Sequence, residues 1–312
     1  MGYVMTLEPL QWESFAGASN FIARRLLGFE LFIAFVQQWK WLARFLHNFR
    51  NHIVEIHRQI FSGHTYFLMI PNLVQLPVNT LPQPDETTCG PTCLHAVYRY
   101  WADNESLETV IARMHRLEQG GTFAVFLACD ALRKGYLATI YTYNVTVFDP
   151  TWFTRSGINI AKRLQLQREV KMDYRLQHVT EGYLEFLSLG GQLRFVDLSR
   201  QLIRGILRRR LPILTGLSST YLYRTAREFG ADDIPDDVRG LPAGHFVVIA
   251  GYDRKHRAVL VVDPYQPNPY GPAHEYWISM DRVIAAILLG IVTHDANLLV
   301  VYPPRGVLQE DP

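Results

Sequence analysis

Cysteine is scarce in this chain of 312 residues: Cys89, Cys93 and Cys129 are the only three. So few, and an odd number, argues against a disulfide framework and for a reducing compartment. Long apolar runs are also missing. The strongest near the start is Leu31 to Val36, with Glu30 just before it. A spanning helix needs about 20 predominantly apolar residues, so no transmembrane span is expected. The opening MGYVMTLEPLQWESF lacks the basic region, apolar run and small-residue cleavage site of a secretory signal, and a cytoplasmic location is the expectation. Nor is there an excess of charge of one sign. A net +2 provides no field that would favour nucleic acid, and no nucleic-acid partner is expected. Internal repeats and low-complexity tracts are absent as well.

What is present describes a folded globular protein: apolar residues make up 48% and charged ones 19%, outside the range of bulk disorder. The length suits one catalytic domain with an extension. Residues 1–68 form that extension. From Leu42 the apolar positions Phe45, Leu46, Phe49, Ile53, Ile56 and Ile60 advance in steps of three and four, a helical stripe. Upstream, Phe21–Trp41 is rich in Phe and Trp with Arg24, Arg25 and Lys40 among them. The segment reads as a helical hairpin packed on the main domain or as a homodimer contact. A membrane-surface anchor of the amphipathic type is the alternative.

The second domain is expected over 69–312. Pro71, Pro77, Pro82 and Pro84 make an extended connector into QPDETTCGPTCLHAVYRYW. A helix is predicted after Gly90, a second from Ser106 to about Leu117, and a third from Thr122 with Gly135 at its C-cap. Tyr136–Tyr143 reads as a strand, Asp149–Leu189 as helical in parts, Leu198–Arg210 as a helix and Pro212–Leu217 as a strand. The last third is β-rich: His245–Tyr252, Ala258–Asp263, Glu275–Ile278 and Leu298–Tyr302. Helices first and sheet second imply an α+β domain, a helical lobe and a β lobe with a cleft between them.

Cys89 lies where the extended segment turns into a helix, just before Gly90-Pro91-Thr92. Proline is favoured in a first turn because its missing N–H has no partner there. A sulfur at that point meets the positive end of the helix dipole, which favours the reactive thiolate. Cys93, one turn on, and Cys129, in an apolar helix, read as packing residues. A thiolate nucleophile needs a base, and the base needs an orienter. Among 11 histidines, His245 is singled out because it opens the strand HFVVIAGY, while Asp263 closes the next strand VLVVD. A turn over Asp253–Arg257 would set the two close to opposite each other across a hairpin. No second pair of ligands accompanies the two nearby cysteines, so no metal and no cofactor is expected.

The spaced set Q-x5-C-G-P-T-C-L, then G-H-F-V-V-I-x-G-Y and V-x-D-P, resembles cysteine peptidase family 39, the bacteriocin-processing double-glycine peptidases and their stand-alone relatives. The resemblance spans roughly residues 70–305. It implies a papain-like fold with Cys89 as nucleophile, His245 as base, Asp263 as orienter and Gln83 as oxyanion donor. It also implies a peptide or protein substrate. The long loop Ser218–Gly244, with Tyr221, Tyr223 and two Asp pairs, ends at His245 and is expected to border the cleft. Hydrolysis of a peptide or isopeptide bond is the expected reaction. Transfer to an amine acceptor and a catalytically silent peptide-binding module are the alternatives.

Overall fold

The computed structural model describes residues 71–304, apart from 116–120, 155, 231 and 294. The expectations for residues 1–68 lie outside the described residues.

In chain order the elements are β1 (Leu73–Gln75), α1 (Cys89–Tyr100), α2 (Leu107–Arg113), α3 (Ala124–Arg133), β2 (Leu137–Thr142), α4 (Thr151–Thr154), α5 (Ile160–Val170), α6 (Tyr174–Ser188), β3 (Gln192–Arg194), α7 (Arg200–Leu207), β4 (Ile213–Ser218), α8 (Ser219–Tyr223), β5 (Glu228–Phe229), β6 (Ile234–Pro235), β7 (Gly244–Asp253), β8 (Ala258–Val262), β9 (Glu275–Ser279), α9 (Met280–Leu289) and β10 (Asn297–Tyr302). The α+β class expected from the sequence is the class observed. Helix α2 stops at Arg113, short of the expected end. The short strands β1, β3, β5 and β6, and the helices α8 and α9, have no counterpart in the sequence reading.

One sheet of order β3-β2-β10-β4-β7-β8-β9 organises the molecule, antiparallel except where β2 meets β3. Strand β7 is its centre. Along one edge it pairs β4 over its first half and β1 over its second, and along the other it pairs β8. Val247, Val248, Ile249 and Ala250 of β7, every residue of β4 and most of β10 are buried. These strands therefore read as near-continuous apolar runs rather than as alternating ones, because helices cover them.

Helix α1 packs against β7 and is buried from Cys89 through Tyr98. A helix enclosed on all sides is held by packing rather than by its own propensity. The peripheral helices carry local stops instead. Ser106, Asn159, Asp173 and Ser199 cap α2, α5, α6 and α7, each accepting a backbone N–H three residues on. Helix α3 has no such local cap; the N–H of Ala124 donates to the carboxyl of Asp295, far along the chain. No helix among the described residues is long and apolar enough to cross a membrane.

Candidate active site

The start of α1 and the start of β7 meet at a cleft of about 150 Å³. Cys89 and Glu86 line it from the helix side, Thr122 and Phe123 from the loop before α3, Gly216 and Leu217 from β4, and Gly244 and His245 from β7. A larger hollow of about 440 Å³, between Arg113, Asp130, Arg133 and Glu185, touches neither Cys89 nor His245. Its charged lining residues are engaged in ion pairs, Arg113 with Asp130, Arg133 with Glu185 and Glu181 with Arg168.

Cys89 is the first residue of α1, 8% exposed, where backbone N–H groups have no partner within the helix. Gly90 makes the position sterically feasible. A Cβ there would lie 2.8 Å from Cγ2 of Thr122 and 3.2 Å from Cδ2 of Phe246. Cys89 and the ring of His245 line the same cleft, close enough for the sulfur to help raise the His245 pKa. His245 Nε2 in turn lies 2.8 Å from Oδ1 of Asp263. A carboxylate can only accept, so Nε2 carries the hydrogen and Nδ1 is left for the sulfur. His245 and Asp263, two of the sequence-predicted residues, are thus hydrogen-bonded, with Cys89 lining the same cleft as His245.

The hairpin delivers this contact by a different register from the one expected. Residues Arg254–Arg257 form the turn, and Val262 pairs with Val248 after a bulge between Ile249 and Gly251. Carried one residue further, Asp263 stands opposite Val247, and His245 is its diagonal neighbour two residues along the same face. Diagonal positions are about 7–8 Å apart, within reach of an imidazole and a carboxylate extending toward each other. The near-opposite pairing is therefore corrected: the turn is centred between Lys255 and His256, later than expected, and the bulge in β7 then moves Asp263 from opposite Val248 to opposite Val247, on the face of His245.

Gln83 approaches the site from the other side of the connector. Its N–H donates to the carbonyl of Pro264 at 3.0 Å, which ties it to the chain just after Asp263. Its side-chain Nε2 donates to the carbonyl of Asp85 at 3.0 Å, while Oε1 is buried without a hydrogen-bond partner. The amide is thus turned to its own loop and not to Cys89.

Electrostatically the centre favours an ion pair. Burial opposes a charged ring at His245, but Asp263 and Cys89 outweigh it and raise its pKa above that of an ordinary histidine. Burial likewise opposes the charge on Asp263, yet His245 and further hydrogen bonds hold its pKa below the usual carboxylate value. Burial, with Cys89 close by, pushes the Cys93 thiol well up; its sulfur donates to the carbonyl of Phe246 at 3.2 Å. Cys93 therefore packs, as its helical position suggested, and so does the buried Cys129.

Two residues at the centre escaped the sequence reading. Tyr276 belongs to no motif, and Tyr223 lies within the long loop Ser218–Gly244. Both hydroxyls bond Oδ2 of Asp263, at 2.7 Å from Tyr223 and 2.8 Å from Tyr276. No spacing signal links either to Asp263, since they lie on separate elements.

The profile of the Peptidase_C39 like family matches residues 67–283. The chain belongs to this family. No curated protein matches it. Similar solved structures include one described as a C39-like peptidase from Bacillus anthracis, 11% identical, covering 75% of this chain and 98% of that one with a TM-score of 0.40. The peptidase domain of Streptococcus ComA, a bifunctional ABC transporter involved in a quorum-sensing pathway, is 14% identical over 73% of this chain and 99% of that one, TM-score 0.34. Xylellain, a cysteine protease from Xylella fastidiosa, is 16% identical over 75% and 87% respectively, TM-score 0.37. Membership of the C39-like family rests on the profile match, which includes Gln83, Cys89, His245 and Asp263.

Proposed function

We propose that this C39-like chain is a cysteine peptidase that hydrolyses a peptide or isopeptide bond. The observation that carries the reading is the 2.8 Å His245–Asp263 hydrogen bond beside a cleft that Cys89 and His245 line together.

In this reading the Cys89 sulfur attacks the substrate carbonyl carbon and the carbonyl electrons pass to oxygen. The first-turn N–H of Cys89 stabilises that oxyanion. Gln83 contributes through the second N–H of its amide once the loop turns toward the oxygen, a motion eased because Oε1 has no bond to lose. His245 gives its Nδ1 proton to the leaving amine, the C–N bond breaks, and a thioester to Cys89 remains. His245 then takes a proton from water as the water attacks, releasing the carboxylic acid and restoring the thiol–imidazole pair. Asp263 holds the ring with Nδ1 aimed at sulfur throughout. The three cysteines are all free, in keeping with a reducing, cytoplasmic setting.

The test is labelling by a thiol-directed activity probe alongside mass analysis of a peptide library. Cys89→Ala abolishes both signals. His245→Ala lowers the labelling rate by about a hundredfold or more, the usual contribution of a positioned acid–base group. Labelling that persists in Cys89→Ala, or that ignores His245→Ala, removes the peptidase reading.

A further inference from the structure

Asp263 has no exposure to solvent, and a buried carboxylate must find its hydrogen bonds inside the protein. It finds four. Oδ1 receives Nε2–H of His245 at 2.8 Å and the backbone N–H of Tyr265 at 3.0 Å. Oδ2 receives the hydroxyls of Tyr223 at 2.7 Å and Tyr276 at 2.8 Å. All of its accepting sites are thereby used, and the two oxygens have different tasks. Oδ2 faces only the phenols, whereas Oδ1 faces the imidazole.

The two phenols come from opposite directions. Tyr223 ends α8, next to Arg224 in the left-handed conformation, and Tyr276 sits within β9. Burial, with the Asp263 charge close by, raises both phenols well above the ordinary tyrosine value, so each remains a donor across the working pH range. Aromatic rings also enclose the pair. The ring of Tyr223 is 6.1 Å from that of His245, Tyr265 is 6.0 Å from His245, and the ring of Tyr270 lies 4.5 Å from that of Tyr276, tilted by 35°.

We propose that Tyr223 and Tyr276 are positioning residues that lock Oδ2 of Asp263 and thereby present Oδ1, in a single orientation and ionised, to His245. The inference rests on the Cys89–His245–Asp263 reading above and deepens it. Without the phenols Oδ2 is left with no donor in a dry site. The carboxyl then takes up a proton more readily or turns, and His245 loses the partner that fixes its tautomer and supports its charge.

The variants are Tyr223→Phe, Tyr276→Phe and the double variant, with Tyr270→Phe as control. Tyr270 belongs to the same aromatic group but donates to the carbonyl of Leu222 instead of to Asp263. The readout is the pH profile of Cys89 alkylation in the full chain, with thermal unfolding measured in parallel. Each single Phe variant moves the acid limb up by about one pH unit, the scale on which hydrogen bonds to a charged group shift its titration. Tyr270→Phe leaves the limb in place. An unmoved limb in a folded double variant, or in both folded single variants if the double does not fold, overturns the proposal.

A second readout is independent of turnover. In Cys89→Ala protein with labelled histidine, the Nε2 proton of His245 should exchange with water at least tenfold faster in the Phe variants. Unchanged exchange also overturns the positioning role. Should the wild type fail to label in a His245-dependent way, the peptidase reading fails by itself, and this exchange measurement still decides the tyrosines.

Discussion

Two carboxyls are buried at the cleft, and they respond to burial in opposite ways. Asp263 is surrounded by donors and has a cationic partner in His245, so its charge is retained. Asp295, 5% exposed, receives the N–H of Ala124 and the amide of Asn297 but no cation is among the causes of its shift, and burial raises its pKa to about 7. Between its unfolded value near 3.8 and that raised value the folded protein holds the proton longer than the unfolded chain does. Stability therefore falls as pH rises through this window, by up to about 4 kcal/mol, and the loss is complete above it. Asp295→Asn keeps an acceptor for Ala124 and removes the titration. Its stability relative to wild type should rise between pH 4.5 and pH 8, as read from urea denaturation at the two values. A constant difference would show that Asp295 is ionised throughout.

At the scale of elements, the cleft depends on how closely α1 approaches the loop before α3 and the start of β7. Gly90 is the contact point, with Thr122 and Phe246 at distances no Cβ tolerates without displacement. Gly90→Ala should cost about 1–3 kcal/mol by overpacking. It should also slow Cys89 labelling, because the displaced Phe246 adjoins His245; thermal unfolding and labelling rate check the two effects separately. The elements differ in how visible they were in the sequence. Helix α1 was readable because Pro91 and the apolar spacing after Gly90 are local signals. Strands β4, β7, β8 and β10 were readable as β-branched runs. Strand β1 was not, because three residues carry no period and gain their pairing from Gly251–Asp253 of β7, where the missing Cβ of Gly251 leaves room for the carbonyl of Val74. The bulge that shifts the β7–β8 register was equally invisible, since nothing in HFVVIAGY marks which residue is left unpaired.

At the scale of the whole molecule, the described sheet, its helices and the cleft lie entirely within 71–304. A chain beginning at Pro71 should therefore unfold cooperatively and keep His245-dependent Cys89 labelling. Loss of either would make the preceding 70 residues part of the fold. The amino-acid sequence by itself determined the α+β class and the helix start that carries Cys89, and it marked His245 and Asp263 as a candidate pair, because each is written in neighbouring residues or in a spaced motif. Only the tertiary structure decided that the histidine and aspartate meet on a diagonal. The capping of α3 by Asp295, the turning of Gln83 toward Asp85 and the closure of two tyrosines over Asp263 were decided there too. These contacts join residues far apart along the chain, and a buried carboxylate selects its donors by where packing puts them.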